Sequence, residues 1–144
     1  MKLVAKATIQ IQKPVEIVFE GIVNPAEMTN YFISESNGRL QTGKELIWKF
    51  PEFPDDFPVT GVKVETNKMI SFVWDPETVV KIELESQPDQ STVVRVIEDG
   101  KEVNEANINW VVGNTEGWAN FLASMKAWLE YGINLRKGAF DFMR

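Results

Sequence analysis

The sequence predicts an α+β fold in which a curved antiparallel sheet wraps around one long C-terminal helix. Short alternating apolar segments, separated by turn residues, fill most of residues 36–98. Apolar side chains then recur at helical spacing along residues 114–142. A helix this apolar needs a concave surface to lie against, and the preceding strands would supply it, with room for a ligand between the two.

The first part of the chain predicts one strand followed by two short helices. Residues 2–12 alternate between apolar and polar side chains, which is typical of a half-buried strand. Pro14 suits the first turn of a helix, and residues 15–22 give that helix an apolar face. Asn24-Pro25-Ala26-Glu27 has the pattern of an N-cap, a proline at N1 and an acid at N3. We expect this second helix to continue to about Phe32.

The middle of the chain predicts about six strands joined by tight turns. Apolar residues alternate at 46–50, 62–64, 70–74, 80–84 and 94–96, and turn pairs such as Asp75-Pro76 and Asp99-Gly100 end segments. Strands this close in sequence pair as an antiparallel meander. Residues 101–112 fit either another strand or an ordered loop.

The terminal segment predicts a helix between an N-cap at Asn114 or Thr115 and a C′ glycine at Gly138. Five apolar residues define a stripe roughly 80° wide on this helix: Trp118, Leu122, Met125, Leu129 and Ile133. A second row lies beside it: Phe121, Trp128 and Leu135. We expect residues 118–125 to face any cavity and residues 129–135 to pack solidly against the sheet.

Composition excludes several kinds of site. The 144 residues favour one domain, and the chain contains no cysteine and no histidine. Disulfides, thiolate nucleophiles, a Ser-His-Asp triad and the commonest metal ligands are therefore absent. A net charge of -6 argues against nucleic-acid and anionic-membrane partners. No apolar run of about 18 residues and no signal-like apolar region occur, which favours a cytoplasmic protein.

The run from Glu116-Gly117-Trp118 through Gly132 carries a resemblance to a known family most clearly. It resembles the closing helix of the activator of heat-shock protein 90 ATPase homologue-like domains, which belong to the START/Bet v 1-like (SRPBCC) superfamily. Residues 14–19 and 24–28 are similar to the superfamily's early helix pair, and residues 59–65 with 70–74 to its central hairpin. The resemblance implies a helix-grip fold, often with an apolar cavity between sheet and helix. The superfamily includes lipid and hormone carriers, polyketide cyclases and co-chaperone domains.

The first candidate site is that cavity. Its expected lining consists of aromatic and aliphatic side chains, a composition typical of apolar-ligand pockets: Trp48, Phe72, Trp74, Ile82 and Val94 from the sheet and Trp118, Leu122 and Met125 from the helix. The same side chains could instead fill the core completely. A one-residue slip in register would turn the chosen strand faces outward.

Three further candidates are weaker. Residues 50–58 alternate prolines and phenylalanines with acids, which predicts a stiff loop: a lid, a docking surface or a plain hairpin connection. The acids at 75, 83, 85, 98, 102 and 105 show no catalytic or calcium-binding spacing, so we expect ordinary surface charge. Arg136, placed on the helical stripe, is expected to pair with an acid rather than bind a ligand anion.

The leading hypothesis is a non-enzymatic domain that binds a small hydrophobic molecule such as a lipid, polyketide or flavonoid-like compound. No catalytic residue, metal or cofactor is expected. One alternative is a co-chaperone-like module that activates a heat-shock protein 90 chaperone. A less favoured alternative is a cyclase, hydrolase or dehydratase using a cavity carboxylate or Tyr31. The sequence leaves the oligomeric state open.

Overall fold

The computed structural model describes all 144 residues and contains one seven-stranded antiparallel sheet, three α-helices and a C-terminal 3₁₀ turn. The elements follow in this order: β1 (Lys2–Ile11), α1 (Val15–Val23), α2 (Pro25–Met28), β2 (Glu35–Ser36), β3 (Leu46–Lys49), β4 (Asp56–Glu65), β5 (Met69–Val73), β6 (Val79–Ser86), β7 (Thr92–Glu102), α3 (Glu105–Tyr131) and the 3₁₀ turn (Asp141–Met143).

The predicted helix-grip architecture is confirmed. The strand order is β1-β7-β6-β5-β4-β3-β2, so β2 to β7 form the predicted meander and β1 pairs with the last strand. In register, Ile70 lies beside Ile82 and Ile82 beside Val96, and all three side chains are buried. This row belongs to the core, which also contains buried side chains of α1, α2 and α3.

The pair Asp99-Gly100 lies inside β7 and is not the turn that the sequence predicts. Opposite β1 the register shifts at this point, which marks a bulge. Gly100 has a φ of 133°, and a Cβ placed there would come within 2.1 Å of the Glu77 carbonyl oxygen. The glycine therefore serves a bend within the strand, where the β5–β6 connection crosses closely above it.

The two short helices form where they are predicted, with different ends. Pro14 precedes α1 as its N-cap, and Asn24 Oδ1 accepts a hydrogen bond of 2.9 Å from the Ala26 amide at the start of α2. The second helix ends at Met28, before the predicted Phe32. The Asn30 side chain donates to the Ala26 carbonyl oxygen at 2.7 Å, which satisfies that carbonyl as the helix ends.

The bounds predicted for the terminal helix are wrong at both ends. Helix α3 begins at Glu105, where the Asn104 side chain accepts a 2.8 Å hydrogen bond from the Asn107 amide. It ends at Tyr131, and the next residue, Gly132, adopts the left-handed conformation with a φ of 67°. Residues 105–112 are thus helical, whereas the sequence suggested a strand or a loop. Asparagine caps and C-terminal glycines occur at both pairs of positions, so cap chemistry alone could not choose between them.

The burial of α3 follows the predicted stripe only up to Met125. Trp118, Phe121, Leu122 and Met125 are buried, and Leu129 and Trp128 are partly buried. Ile133 and Leu135 lie beyond Gly132 and are 52% and 51% exposed. The expectation that residues 129–135 pack solidly is therefore wrong for these two, because the chain has already left the helix.

Candidate functional site

Most of the predicted cavity wall lies in solid core. Six of the eight predicted ligand-binding side chains are buried and line none of the three pockets along the sheet–helix seam: Trp48, Phe72, Ile82, Val94, Leu122 and Met125. The other two, Trp74 and Trp118, do line pockets. The ligand-binding role of the six core residues stays a prediction.

Phe32 occupies the middle of the aromatic cluster. Its ring centroid lies 4.7 Å from that of Phe121, 5.2 Å from Phe50, 5.9 Å from Trp48 and 6.1 Å from Trp118. The chain places it in the turn after α2, outside any periodic pattern, so sequence reasoning missed it. Because this ring fills the volume between sheet and helix, the open space lies around it.

The largest of the three pockets along the sheet–helix seam is a groove of about 420 Å³, which we call the aromatic groove. Five aromatic rings and four polar side chains line it: Phe50, Phe53, Phe57, Trp74, Trp110, Asp75, Glu98, Asn114 and Arg136. They come from the β3–β4 segment, the ends of β5 and β7, the first half of α3 and the C-terminal tail. The groove thus joins segments far apart in sequence.

Two smaller pockets adjoin the groove. The Gly117 pocket, of about 190 Å³, shares Phe53 and Arg136 with the groove; its lining is Phe32, Glu52, Phe53, Gly117, Asn120, Phe121, Arg136, Phe140 and Met143. The indole pocket, of about 110 Å³, shares Trp74 and Asn114 with the groove; its lining is Phe32, Trp74, Gly113, Asn114, Gly117 and Trp118. Side-chain walls, Phe32 among them, therefore separate three neighbouring spaces.

The proline- and phenylalanine-rich segment supplies one wall of the groove. Phe57 stacks edge-on against Phe50 at 5.1 Å, and Phe53 lies 6.1 Å from Phe57. The predicted loop over residues 50–58 is shorter than expected, because β4 begins at Asp56 and includes Pro58. Strand β5 pairs with β4 only from Thr60 onward, so Pro58 has one unpaired side where its missing N–H costs little.

Glu98 is fully buried, so the expectation of ordinary surface charge is wrong for this residue. It follows Val94 and Val96 on the inner face of β7, a continuation of the alternation that the sequence displays. Oε1 accepts hydrogen bonds from Asn114 Nδ2 at 2.8 Å and Trp118 Nε1 at 2.9 Å, and Oε2 accepts from Trp74 Nε1 and Thr78 Oγ1, both at 2.8 Å. Glu98 therefore joins β7, α3 and the end of β5.

These four bonds bear on the chemistry that Glu98 can perform. A carboxylate has about four acceptor positions, and protein donors occupy two on each oxygen. No acceptor position is left to receive a proton from a substrate. The Glu98 carboxylate is therefore placed to hold two indole rings, those of Trp74 and Trp118, at the back of the aromatic groove.

Tyr31 is likewise fixed within the core. Its hydroxyl donates a 2.7 Å hydrogen bond to the Gly21 carbonyl oxygen, and its side chain is fully buried. Burial, with a smaller contribution from the charge of Glu27, raises the pKa of the Tyr31 phenol well above its usual value. Such a hydroxyl holds α1 against the turn after α2 and lines none of the three pockets.

Arg136 pairs with an acid, as expected, although it lies in the C-terminal tail and not on α3. Its guanidinium forms an ion pair with the Glu52 carboxylate and lies 4.5 Å from the centroid of the Phe140 ring. The bond to Glu52 Oε1 is the guanidinium's one hydrogen bond within the protein. Glu52 Oε2 is buried and accepts none. This pair borders both the groove and the Gly117 pocket.

The rim of the groove carries a second ion-pair cluster. Lys101 Nζ lies 3.0 Å from both Glu77 Oε2 and Asp75 Oδ2, and 5.3 Å from the centroid of the Trp110 ring. Hydrogen bonds to Glu77 and then Asp75 raise the pKa of the Lys101 ammonium above its ordinary value. Lys101 therefore ties the β5–β6 connection to the first part of α3 and neutralises the charge of Asp75 beside the groove.

Comparison with known sequences identifies the family. The family model described as "Activator of Hsp90 ATPase homolog 1-like protein" (AHSA1) matches residues 12–130. The chain belongs to the AHSA1-like family. The match covers every element from α1 to the last turn of α3, so the resemblance read from the closing helix is confirmed. No curated protein matches this AHSA1-like chain in sequence.

Solved structures of other proteins share the fold of this AHSA1-like domain. A protein from Staphylococcus saprophyticus is 27% identical with a TM-score of 0.82, over 93% of this chain and 96% of that one. The Aha1 dimer of Colwellia psychrerythraea is 23% identical with a TM-score of 0.75, over 90% and 98%. A protein of the dynemicin biosynthetic locus is 22% identical with a TM-score of 0.79, over 91% of this chain and 48% of that one. The last two likenesses show the fold alone.

None of the helices in this AHSA1-like domain combines the length and the apolar character that a bilayer-crossing segment needs.

Proposed function

We propose that this AHSA1-like domain binds a small, largely apolar, planar ligand in the aromatic groove. The observation that carries the proposal is the lining of the groove: five aromatic rings, together with four polar side chains, line a space of about 420 Å³. Binding clefts for small molecules typically enclose roughly 300–1,000 Å³ and have mainly apolar and aromatic walls. Domains of this fold often hold ligands in a cavity, which agrees with the proposal.

The wall of the groove is preorganised for a flat ligand. Trp74 stacks on Trp118 with ring centroids 5.2 Å apart, and both indole N–H groups donate to Glu98. Since these bonds fix the plane of Trp74, a planar ligand meets a wall that needs no rearrangement. Preorganisation of this kind lowers the entropy cost of binding.

The charges around the groove favour a neutral ligand. Asp75 is paired with Lys101, and Arg136 is paired with Glu52. Glu98 is the one carboxylate of the groove without a cationic partner, and it would repel an anionic ligand. Asn114, whose amide N–H donates to Glu98, keeps its carbonyl oxygen as an acceptor for a ligand hydroxyl. A neutral lipid-, polyketide- or flavonoid-like compound fits this pattern.

Isothermal titration of the purified protein with a panel of neutral planar aromatics tests the proposal. We expect saturable binding of at least one member, weakened at least about tenfold, or 1.4 kcal/mol, by Trp110→Ala. Tyr131→Ala removes an exposed aromatic ring outside the groove and serves as the matched control. Equal affinities for the wild type and the Trp110→Ala variant, or no binding across the panel, would count against the groove.

Membership of the AHSA1-like family favours one second candidate, a protein that activates the Hsp90 ATPase. A partner could dock on the first half of α3, where Ile108 and Val112 are 47% and 64% exposed. Calorimetric titration with the Hsp90 of the same organism, combined with an ATPase assay, tests this candidate. Binding abolished by Val112→Glu would support it, and the absence of any heat of binding would remove it.

A further inference from the structure

Two glycines of α3 have no packing reason to be glycine. Gly113 and Gly117 are four residues apart, so they lie on one side of the helix. A Cβ built at either position meets no atom within 4 Å. Glycine is disfavoured relative to alanine in a helix interior, and nothing in the protein itself occupies the space that alanine would take. Both glycines are exposed, both line the indole pocket, and Gly117 also lines the Gly117 pocket.

The space in front of Gly117 has the size of one aromatic ring. The Gly117 pocket encloses about 190 Å³ between Phe32, Phe53, Phe121, Phe140 and Met143. An apolar cavity of about 150 Å³ is known to accept benzene. The pocket therefore has room for a six-membered ring with one small substituent, lying against the bare backbone of α3.

One polar group in this pocket lacks a partner. Glu52 lines the pocket, its side chain is only 4% exposed, and its Oε2, which has almost no accessible surface, accepts no hydrogen bond. A buried carboxylate oxygen without a donor is costly, so a donor supplied by a ligand would be favourable. Arg136 already balances the charge of Glu52 through Oε1, and a neutral donor therefore suits Oε2 better than a second cation.

We propose that the Gly117 pocket is a subsite for a monocyclic phenol, or for the phenol ring of a larger ligand, and that the Glu52 carboxylate turns toward the pocket so that the phenol hydroxyl donates to Oε2. Gly117 determines the specificity of this subsite, because any larger residue would place a side chain where the ring lies. The inference rests on the proposed function, since the subsite adjoins the aromatic groove and shares Phe53 and Arg136 with it.

The test compares the affinities of phenol and of anisole, its methyl ether, by NMR titration of the ¹⁵N-labelled protein. Anisole has the same ring and no hydroxyl donor. We expect phenol to bind more tightly than anisole in the wild type and to shift the amide signals of Gly117 and Phe121. In Glu52→Gln an amide NH₂ replaces the acceptor oxygen. This NH₂ can donate equally to the hydroxyl oxygen of phenol and to the ether oxygen of anisole, so the preference for phenol should disappear.

Gly117→Ala tests the space itself. The variant should fold, because the added methyl meets no atom, and its Tm should rise by about 3 °C, since alanine favours the helix. Its affinity for phenol should nevertheless fall at least about tenfold. Ala119→Gly is the control, an opposite change at an exposed position of the same helix, which should lower the Tm and leave the phenol affinity unchanged.

The outcomes separate the subsite from the groove. If the wild type binds neutral planar aromatics in the groove but binds phenol no better than anisole, the subsite is wrong and the proposed function stands. Undiminished phenol affinity in Gly117→Ala would also overturn the subsite. Absence of binding of any aromatic would overturn both.

Discussion

The Glu98 carboxylate on β7 accepts a 2.9 Å hydrogen bond from the indole Nε1 of Trp118 on α3, and both side chains are buried. The same carboxylate holds the indole of Trp74, which forms a wall of the aromatic groove. One residue on the inner face of the sheet therefore fixes both the helix that closes the fold and the ring that a ligand would meet.

Glu98→Gln should destabilise the fold by about 1.5–3 kcal/mol, because the amide NH₂ faces an indole donor and hydrogen bonds to a charged acceptor are lost. Urea unfolding monitored by circular dichroism measures the change. Glu85→Gln is the matched control, because Glu85 is an exposed carboxylate on the neighbouring strand β6, and its effect should stay within about 0.5 kcal/mol. Equal stabilities for Glu98→Gln and wild type would refute the anchoring role.

Phe32→Ala should cost about 3 kcal/mol of stability, because it removes a ring in contact with several core aromatics. It should also join the indole pocket and the Gly117 pocket, since Phe32 lines both. We therefore expect larger apolar ligands to bind the variant more tightly than the wild type, as measured by calorimetry below the melting temperature. Phe142→Ala, at an 82% exposed ring, should change neither property. A loss of affinity for large ligands in Phe32→Ala would contradict the account.

Gly100→Ala and Gly113→Ala should change the stability in opposite directions. At Gly100 the φ of 133° and the nearby Glu77 carbonyl oxygen leave no place for a methyl, so a loss of more than about 2 kcal/mol is expected. At Gly113 the methyl meets open space inside a helix, so a gain of about 0.5–1 kcal/mol is expected. Thermal unfolding of both variants in the same buffer measures the two changes in stability. Changes in the same direction would be evidence against the bulge at Gly100.

The stability should fall at high pH because of Tyr31. Burial raises the pKa of its phenol in the folded state, while the unfolded chain releases this proton near pH 10. Above that pH the unfolded state binds fewer protons than the folded state, so the free energy of unfolding decreases by up to about 1.4 kcal/mol per pH unit. The contribution is fully present below pH ~10 and is lost progressively toward the folded-state pKa.

Tyr31→Phe isolates this effect from the titrating lysines. The variant loses the bond to the Gly21 carbonyl oxygen and should be about 1 kcal/mol less stable near neutral pH. Above pH ~10 its stability should decline less steeply than that of the wild type. Urea unfolding from pH 8 upward gives both curves, and parallel curves would show that Tyr31 does not titrate differently in the two states.

The sequence predicts the architecture well because the spacing of apolar residues indicates both the strands and the long helix. Alternation in β3, β5, β6 and β7 places residues such as Ile82 and Val96 on the buried face, and the apolar stripe identifies α3. The ends of α3 could not be predicted, because Asn104 and Asn114 are equivalent as caps, as are Gly132 and Gly138. Contacts with the rest of the fold decide which of them is used.

The site was harder to predict than the fold, because most of its residues meet over long distances in sequence. The Glu52–Arg136 pair joins residues 84 positions apart, and no local pattern indicates it. Phe32 lies in a turn without periodicity. Glu98, in contrast, follows Val94 and Val96 in strict alternation, and that pattern could have placed it inside.

The five indole N–H signals of the ¹⁵N-labelled protein report on the claim that a planar ligand binds in the aromatic groove. During titration with a neutral planar aromatic such as 2-naphthol, we expect saturable shifts of the Trp74 and Trp110 signals, which come from the groove. The indole N–H of Trp128 donates a hydrogen bond to Glu27 and lies outside the three pockets, so its chemical shift should not change. Shifts confined to Trp128, or no saturable shift of Trp74 and Trp110 with any ligand of this class, would contradict the claim.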